Sequence, residues 1–374
     1  MQKLVTFFKQ EAVLCIACIL AVISAFFVPP DAQYFGYVDF RTLGLLFCLM
    51  AVMAGLQEIG VFQRLAQGML SKVSSMRQLV PILILLCFFS SMLMTNDVAL
   101  ITFVPFTFIV LDLAGEGAKQ KHMIPVVVMQ TIAANLGSMF PPIGNPQNLY
   151  LYGVSEMPLG QFLLLMLPYT ALSGVLLLLW SLFYTRREKA ALTVQFSENT
   201  APLSRKKLIV YLLLFLLSLL TVARIVPWEL TLGVVLIAVL LADRRVLRKV
   251  DYSLLVTFTG FFIFIGNMGR ISIFRDFLES MIAGHEVLTA VVSSQIISNV
   301  PAALLLSGFT EEYAALIIGT NLGGLGTLIA SMASLISFKF IGREEKGIKG
   351  KYLLYFTAAN LVFLAVLMGL FFVI

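Results

Sequence analysis

Charge is what this sequence has least of. Asp, Glu, Lys and Arg make up 12% of its 374 residues, where a soluble domain carries about a quarter. Hydrophobic residues make up 60%. On a water-soluble globule that much apolar surface would form the large exposed patches that soluble monomers avoid. Histidine occurs twice, as His122 and His285 near the ends of apolar runs, and neither is given a role. No His-Glu-x-x-His, Gly-x-Ser-x-Gly or aspartate-rich diphosphate motif is present, so no enzyme signature competes. The four cysteines, Cys15, Cys18, Cys48 and Cys87, all lie inside apolar runs. Cys15 and Cys18 have metal-like spacing but no second ligand pair beside them, and packed or lipid-facing thiols are expected. The net charge of +6 comes from basic residues scattered over loops, which speaks against a nucleic-acid partner.

What the chain does have is apolar length. A helix crosses the hydrocarbon with roughly 20 mainly apolar residues. Simple spans are expected at 12–28, 41–59, 161–184, 208–225, 229–242, 252–269 and 352–373. The first follows Lys3 and Lys9 and is closed by Pro29 and Pro30; with so many spans after it, it reads as a retained helix rather than a cleaved signal. Four segments do not fit a simple crossing. Residues 79–113 break at Thr95-Asn96-Asp97, 123–152 break at 140–148, 285–308 break at Ser298-Asn299-Val300-Pro301, and 314–338 break at 321–327.

Charge then threads the chain. If 79–113 and 285–308 are re-entrant hairpins and the other two broken segments cross, the inner loops are 1–11, 60–78, 112–122, 185–207, 243–251 and 339–351. They hold 22 of the 26 Lys and Arg, leaving only Arg41, Arg224, Arg270 and Arg275 outside. Making the first hairpin a full crossing would destroy this positive-inside bias. The expectation is an all-α, multi-pass protein of a cell membrane, with about nine crossings plus two hairpins, the N-terminus inside and the C-terminus outside.

The two halves echo each other. Val38-Asp39-Phe40 recurs as Val250-Asp251-Tyr252, and Ser90-Ser91 with Thr95-Asn96 recurs as Ser293-Ser294 with Ser298-Asn299. Asn135-Leu136-Gly137 recurs as Asn321-Leu322-Gly323. The charge-derived threading turns the second hairpin over relative to the first, so the repeats are inverted, a common transporter design. Repeat 1 spans 1–184, a basic cytoplasmic linker spans 185–207, and repeat 2 spans 208–374 with one extra helix at 208–225.

Irregular backbone survives in a bilayer only when buried in protein or lining a wet cavity. Four interruptions at equivalent places therefore point to a site near the midplane. There, freed carbonyls suit a cation and helix N-termini suit an anion. Pro141, Pro142 and Pro146 lack backbone donors, and Gly144 permits unusual dihedrals. Asn96, Asn145, Asn148, Asn299 and Asn321 offer donors and acceptors without charge, and Thr95 and Ser298 add hydroxyls. The alternative is that these asparagines only cap and join broken helices. Asp97, whose counterpart is Val300, is a carboxylate deep in a membrane and so a functional candidate by default. It would serve as a sodium ligand or proton carrier, or as a helix cap.

Taken together, Thr95-Asn96-Asp97-Val98-Ala99-Leu100, 142–148 and Ser298-Asn299-Val300-Pro301 resemble the ion-transporter superfamily. It contains citrate and dicarboxylate/sodium symporters, arsenite permeases and a branch of sodium/proton antiporters, and the chain looks most like bacterial inner-membrane anion permeases of this size. The resemblance covers almost the whole chain. It implies a secondary transporter of a small anion, a carboxylate or an inorganic oxyanion, with sodium or protons as coupling ion and no other cofactor. It implies a homodimer with an elevator-like motion. One cation site would use Thr95, Asn96, Asp97, Gly137 and Gly144; the other would use Ser298, Asn299, Gly323 and Thr327. The substrate would lie against Asn96, Asn145, Asn299 and Ser331. Dicarboxylate symporters carry Ser-Asn-Thr at each tip; here Asp97 and Val300 stand in place of the threonine, which resembles the arsenite-permease side. A sodium/proton antiporter is the runner-up. A channel or a membrane-embedded enzyme would belong to another class, separated by conductance in one case and by a catalytic cluster in the other.

Overall fold

The computed structural model describes residues 11–70, 73–115, 117–188, 203–345 and 347–374. Most of the expected linker, Lys3 and Lys9 lie outside the described residues. The rest is helical, with no β-strand among the described residues.

The first half contains α1 (Ala12–Phe27), the short α2 (Tyr34–Tyr37), α3 (Phe40–Glu58), α4 (Val61–Leu70), α5 (Met76–Leu93), α6 (Asn96–Leu113), α7 (Ala118–Ser138), α8 (Pro146–Val154) and α9 (Leu159–Thr185). The second contains α10 (Arg205–Val222), α11 (Trp228–Asp243), a 3-10 turn (Val246–Lys249), α12 (Tyr252–Gly269), α13 (Ser272–Ile282), α14 (Glu286–Ile297), α15 (Asn299–Ser307), α16 (Tyr313–Leu322), α17 (Met332–Glu344) and α18 (Lys349–Phe371). Six of these, α3, α5, α6, α9, α12 and α18, are each long and apolar enough to cross a membrane. The chain is an all-α, multi-pass membrane protein. The spans expected at 12–28 and 229–242 are helices of 16 residues. Both arms of the first hairpin are 18 residues long, enough to reach across by length alone.

The interruptions are narrower at the hairpins than the sequence suggests. Only Met94 and Thr95 separate α5 from α6, and only Ser298 separates α14 from α15. Asn96 and Asn299 each open the returning helix because a carbonyl of the neighbouring broken helix takes the backbone N–H. Asn96 donates to Gly144 O at 3.2 Å and Asn299 to Ala330 O at 2.9 Å. The broken helices have wider gaps, 139–145 and 323–331. Pro146 stands at the first turn of α8, where no backbone donor is needed, and the Asn145 side chain caps it through Asn148 N at 2.9 Å. The repeated Val-Asp motif has the same use twice. Asp39 Oδ1 accepts from Thr42 N and Asp251 Oδ1 from Leu254 N, both at 3.0 Å, starting α3 and α12.

The helices sort into two packs. In one, α1 lies against α12, and α3 against α10 and α11. In the other, α7 packs on both arms of the first hairpin and on α9, α16 packs on α14 and α15, and α17 and α18 close against α7. The packs meet where α8 touches α3 and α15 touches α12. Large apolar side chains such as Phe26 and Leu241 remain more than four-fifths exposed, as expected of a lipid-facing surface.

Ion pairs mark one end of the bundle: Lys249 with Glu58, Lys207 with Asp243, Lys121 with Glu188, and Lys119 with both Asp112 and Glu344. At the other end Arg270 pairs with Asp31, and Arg224 reaches the chain beyond α8. The Arg270 guanidinium holds the Asp31 carboxyl below the usual carboxylate range, as Lys121 does for Glu188.

Candidate functional site

The two broken helices match at a spacing of 186 residues in three polar positions, through which they interlock, and in one small residue whose carbonyl meets a hairpin tip. Asn135 matches Asn321, Gly144 matches Ala330, Asn145 matches Ser331 and Asn148 matches Ser334. Ser331 Oγ donates to Asn135 Oδ1 at 3.0 Å, and Asn145 Nδ2 donates to Asn321 Oδ1 at 3.0 Å. Asn135 Nδ2 faces Ser334 Oγ at 3.5 Å, and Asn321 Nδ2 donates to Asn148 Oδ1 at 2.6 Å. Each asparagine of one half is thus held by the restarting helix of the other. Asn96 Nδ2 joins the network at Asn135 Oδ1, 3.0 Å away, and both tip asparagines fold back onto the next amide, Asn96 Oδ1 to Asp97 N and Asn299 Oδ1 to Val300 N, each at 3.0 Å.

Two of the expected cation-site glycines sit in tight contacts with the first arm of the hairpin in their own half. A Cβ on Gly137 would collide with Phe88 O, and one on Gly323 would lie 2.6 Å from Ser294 Oγ. Gly144 leaves no room either, because Ser138 O occupies the place of its Cβ. Their shared property is close approach of backbone to backbone or side chain. Thr327 is exposed and tied to Gln295, which accepts its N–H at 2.9 Å; the structure does not bring it to the tips.

The tips themselves frame a small cavity of about 10 Å³, lined by Asn96, Asp97, Pro146, Gln147, Leu254, Asn299, Val300, Ser331 and Met332. That is room for about one water. Four helices, α6, α8, α15 and α17, begin at its wall. Helix N-termini carry partial positive charge. Against that field stand two acceptors without a donor, the buried Asp97 Oδ1 and Gln147 Oε1. Asp97 Oδ1 makes no helix-capping bond. Gln147 is 1% exposed; it lies inside the 142–148 motif, where sequence alone assigns it no role. The signal that could find it is a carboxamide in the first turn of a helix that opens inside the membrane.

Two larger cavities flank the small one. The first, about 170 Å³, is lined by Thr95, Asp97, Asn145, Lys249, Asp251 and Leu254 among others. The second, about 180 Å³, is lined by Glu11, Asp251, Leu254, Val300, Met332 and Lys339 among others. Leu254 faces all three, and Asp97 stands between the first and the small one. The lining charges, Lys249, Asp251 and Glu11, place both cavities at the ion-paired end of the bundle. Among the described residues no group of three or more His, Cys, Asp or Glu could hold a metal. A cation here would meet carboxamide, hydroxyl, carbonyl and single carboxylate oxygens.

Residues 4–314 match the family model described as citrate transporter, CitMHS. The chain belongs to the citrate transporter family. Its relatives agree in kind. An uncharacterized transporter of Methanocaldococcus jannaschii, MJ0456, is 33% identical over 310 residues, 82% of each chain. The inner membrane protein YbiR of Escherichia coli is 30% identical over 326 residues, 84% of each chain. The silicon efflux transporter LSI3 of rice is 34% identical over 131 residues, 35% of this chain and 26% of its own. This citrate transporter family member is a multi-pass membrane transporter.

Proposed function

We propose that this transporter is a secondary active carrier of a small anion, a carboxylate or an inorganic oxyanion, coupled to sodium or protons in a bacterial inner or plasma membrane. The observation that carries the reading is the cavity between the tips, where four helices begin and the Asp97 and Gln147 oxygens lack a donor. Helix N-termini favour an anion, and an unpaired carboxylate favours a proton or a hard cation such as sodium. Asp97 Oδ1 and Gln147 Oε1 would hold the coupling ion, and Asn96, Asn299 and Ser331 would face the substrate. The matched bonds at 186-residue spacing support two repeats, 1–184 and 208–374, around the linker 185–207. The ion pairs at opposite ends support their inversion, and the two helix packs support an elevator-like motion of one against the other. A homodimer rests on the family resemblance alone.

A second reading, export of a weak inorganic oxyacid or sodium/proton exchange, is favoured by Asp97, because a fixed carboxylate opposes a fully ionised substrate. The name of the rice relative, silicon efflux, fits it too. Purified protein screened by thermal shift against carboxylates, sulfate, phosphate, arsenite and sodium separates the readings, since only a bound species raises the melting temperature by mass action. No shift with any anion, together with a proton flux driven by sodium, would replace the first reading with the antiporter. Cysteines near Lys119 and Glu311 should label from opposite sides of the membrane; labelling from one side would overturn the inversion.

A further inference from the structure

The two cavities that flank the tips lie at one end of the bundle; at the other end a hollow of about 340 Å³ lies beside α10 and α11 and includes Arg224 but none of the tip residues, and α3 and α8 are in contact there. Thr42, in the first turn of α3, is 2% exposed, and a Cβ on Gly153 of α8 would lie 3.4 Å from its Oγ1. Its repeat counterpart Leu254 instead lines all three cavities. The same capping motif is therefore closed at one end and open at the other. Beside the closed contact stands Arg224, between α10 and α11. Its Nη1 donates to Glu156 O at 2.7 Å and its Nη2 to Tyr152 O at 3.1 Å, while the guanidinium lies 5.0 Å from the Tyr152 ring centroid. These carbonyls belong to the end of α8 and the turn after it, where backbone acceptors are unpaired and the helix dipole is negative. Arg224 follows the end of α10 at a φ of +63°, in a left-handed turn closed by Ile225 N–H to Leu220 O at 2.9 Å, which directs the chain on towards α11.

We propose that Arg224 is a latch across the two packs. It grips the end of α8 and, with the Thr42–Gly153 contact, holds the transporter in the state whose cavities open at the Lys249–Asp251 end. Transport requires the grip to be released so that the Asp39–Thr42 and Asp251–Leu254 starts exchange roles. This rests on the elevator reading of the proposed function. Arg224 is a positioning residue and touches no cavity of the tips.

Two experiments test it, each readable without knowing the substrate. In vesicles carrying Leu254→Cys, a membrane-impermeant maleimide supplied from the Lys249 side labels the new thiol. Removing a charge-assisted hydrogen bond from one side of a two-state balance shifts that balance by about tenfold. Starting from an excess of the open state of about tenfold, Arg224→Gln slows labelling by about half, and Arg224→Lys, which keeps the charge but loses the fork, falls between. Equal labelling rates in wild type and Arg224→Gln, both with wild-type melting temperature, overturn the latch. In the second experiment, Thr42→Cys and Gly153→Cys together are oxidised to a disulfide. Labelling of Leu254→Cys then persists at an undiminished rate, before and after reduction. Loss of Leu254 labelling in the cross-linked protein overturns the assignment of the closed end. Absence of any transported anion would sink the proposed function but leave the labelling result standing.

Discussion

The two hairpins share a plan and differ in nearly every detail of its execution. The arms of the first are 18 and 18 residues; those of the second are 12 and 9. The first tip turns through two residues with ordinary dihedrals, the second through Ser298 alone at φ +76°. The Asn96 side chain reaches across to Asn135, whereas the Asn299 side chain bonds to its chain neighbours Ser298 and Val300. Asp97 has a buried oxygen without a donor where the second tip has Val300, an apolar side chain. Backbone contacts are preserved between the halves, since each tip asparagine gives its N–H to the facing broken helix. Chemistry is not preserved. The fold keeps its symmetry where helices must fit, and gives it up where a charge must be handled.

The largest test of that contrast is at the fitted glycines. Gly137→Ala puts a Cβ against the Phe88 backbone carbonyl, which cannot swing away. A loss of about 3 kcal/mol or more is expected, at the upper end of overpacking effects, and monodisperse protein in detergent should disappear. Gly323→Ala meets the Ser294 side chain first and should cost less, about 1–3 kcal/mol. The reverse order in melting experiments would break the comparison.

Next comes the charge. Asp97→Asn should lower coupled transport about 100-fold, the scale of losing a positioned proton carrier, while raising the melting temperature because a buried, unpaired carboxylate is gone. Val300→Asp should destabilise and gain no coupling. Transport with unchanged pH and sodium dependence in Asp97→Asn would move the coupling elsewhere.

The tip asparagines follow. Truncation of either to alanine should weaken binding by about fivefold to 150-fold, the equivalent of 1–3 kcal/mol for a buried polar group left without its partner. Asn96→Ala should also melt lower than Asn299→Ala, since only Asn96 ties into the central network. Wild-type binding in both would remove the tips from the site.

A smaller effect has opposite signs in the two halves. Ser298→Gly relieves a strained backbone and should stabilise by about 1 kcal/mol. Thr95→Gly gains nothing and should cost roughly 0.5–1 kcal/mol. Stabilisation by both would mean that the tips are alike after all.

How much of this is legible in the chain itself depends on which force set it. Burial sets the helices, and apolar runs announce them; the Val-Asp starts of α3 and α12 also stand in plain sight. The four interruptions are visible because Pro, Gly and Asn have few other uses in apolar segments. Their extents are not, because Asn96 and Asn299 join their helices only through carbonyls far along the chain. Gly137 and Gly323 are expected at the cation sites from sequence; that each also sits in a tight packing contact is set by a distant neighbour that no local pattern encodes. Gln147 escapes notice because a glutamine in a motif of asparagines carries no spacing of its own. The Arg224 grip depends on a turn conformation that the sequence does not advertise.

The weakest expected effect joins the halves at the solvent-exposed end. Asp31, held below the usual carboxylate range by Arg270, contributes stability at pH values above that range, and the contribution fades as pH falls through the lowered value. Melting curves of wild type and Arg270→Gln should differ slightly near neutral pH and converge in acid. A gap that widens in acid would reverse the sign.

The crossed asparagine bonds also govern how the molecule comes into being. Asn135 is made and inserted long before Ser331 and Ser334, the groups that hold it, leave the ribosome. Until then the first half carries an amide in the membrane interior without its final partners, a burden that lipid cannot relieve. Neither half therefore reaches its resting shape alone. Within the first half Asn135 has Asn96 as a partner, and the late docking of the two halves is the expected order of assembly. Halves expressed as separate chains should be degraded singly and survive together.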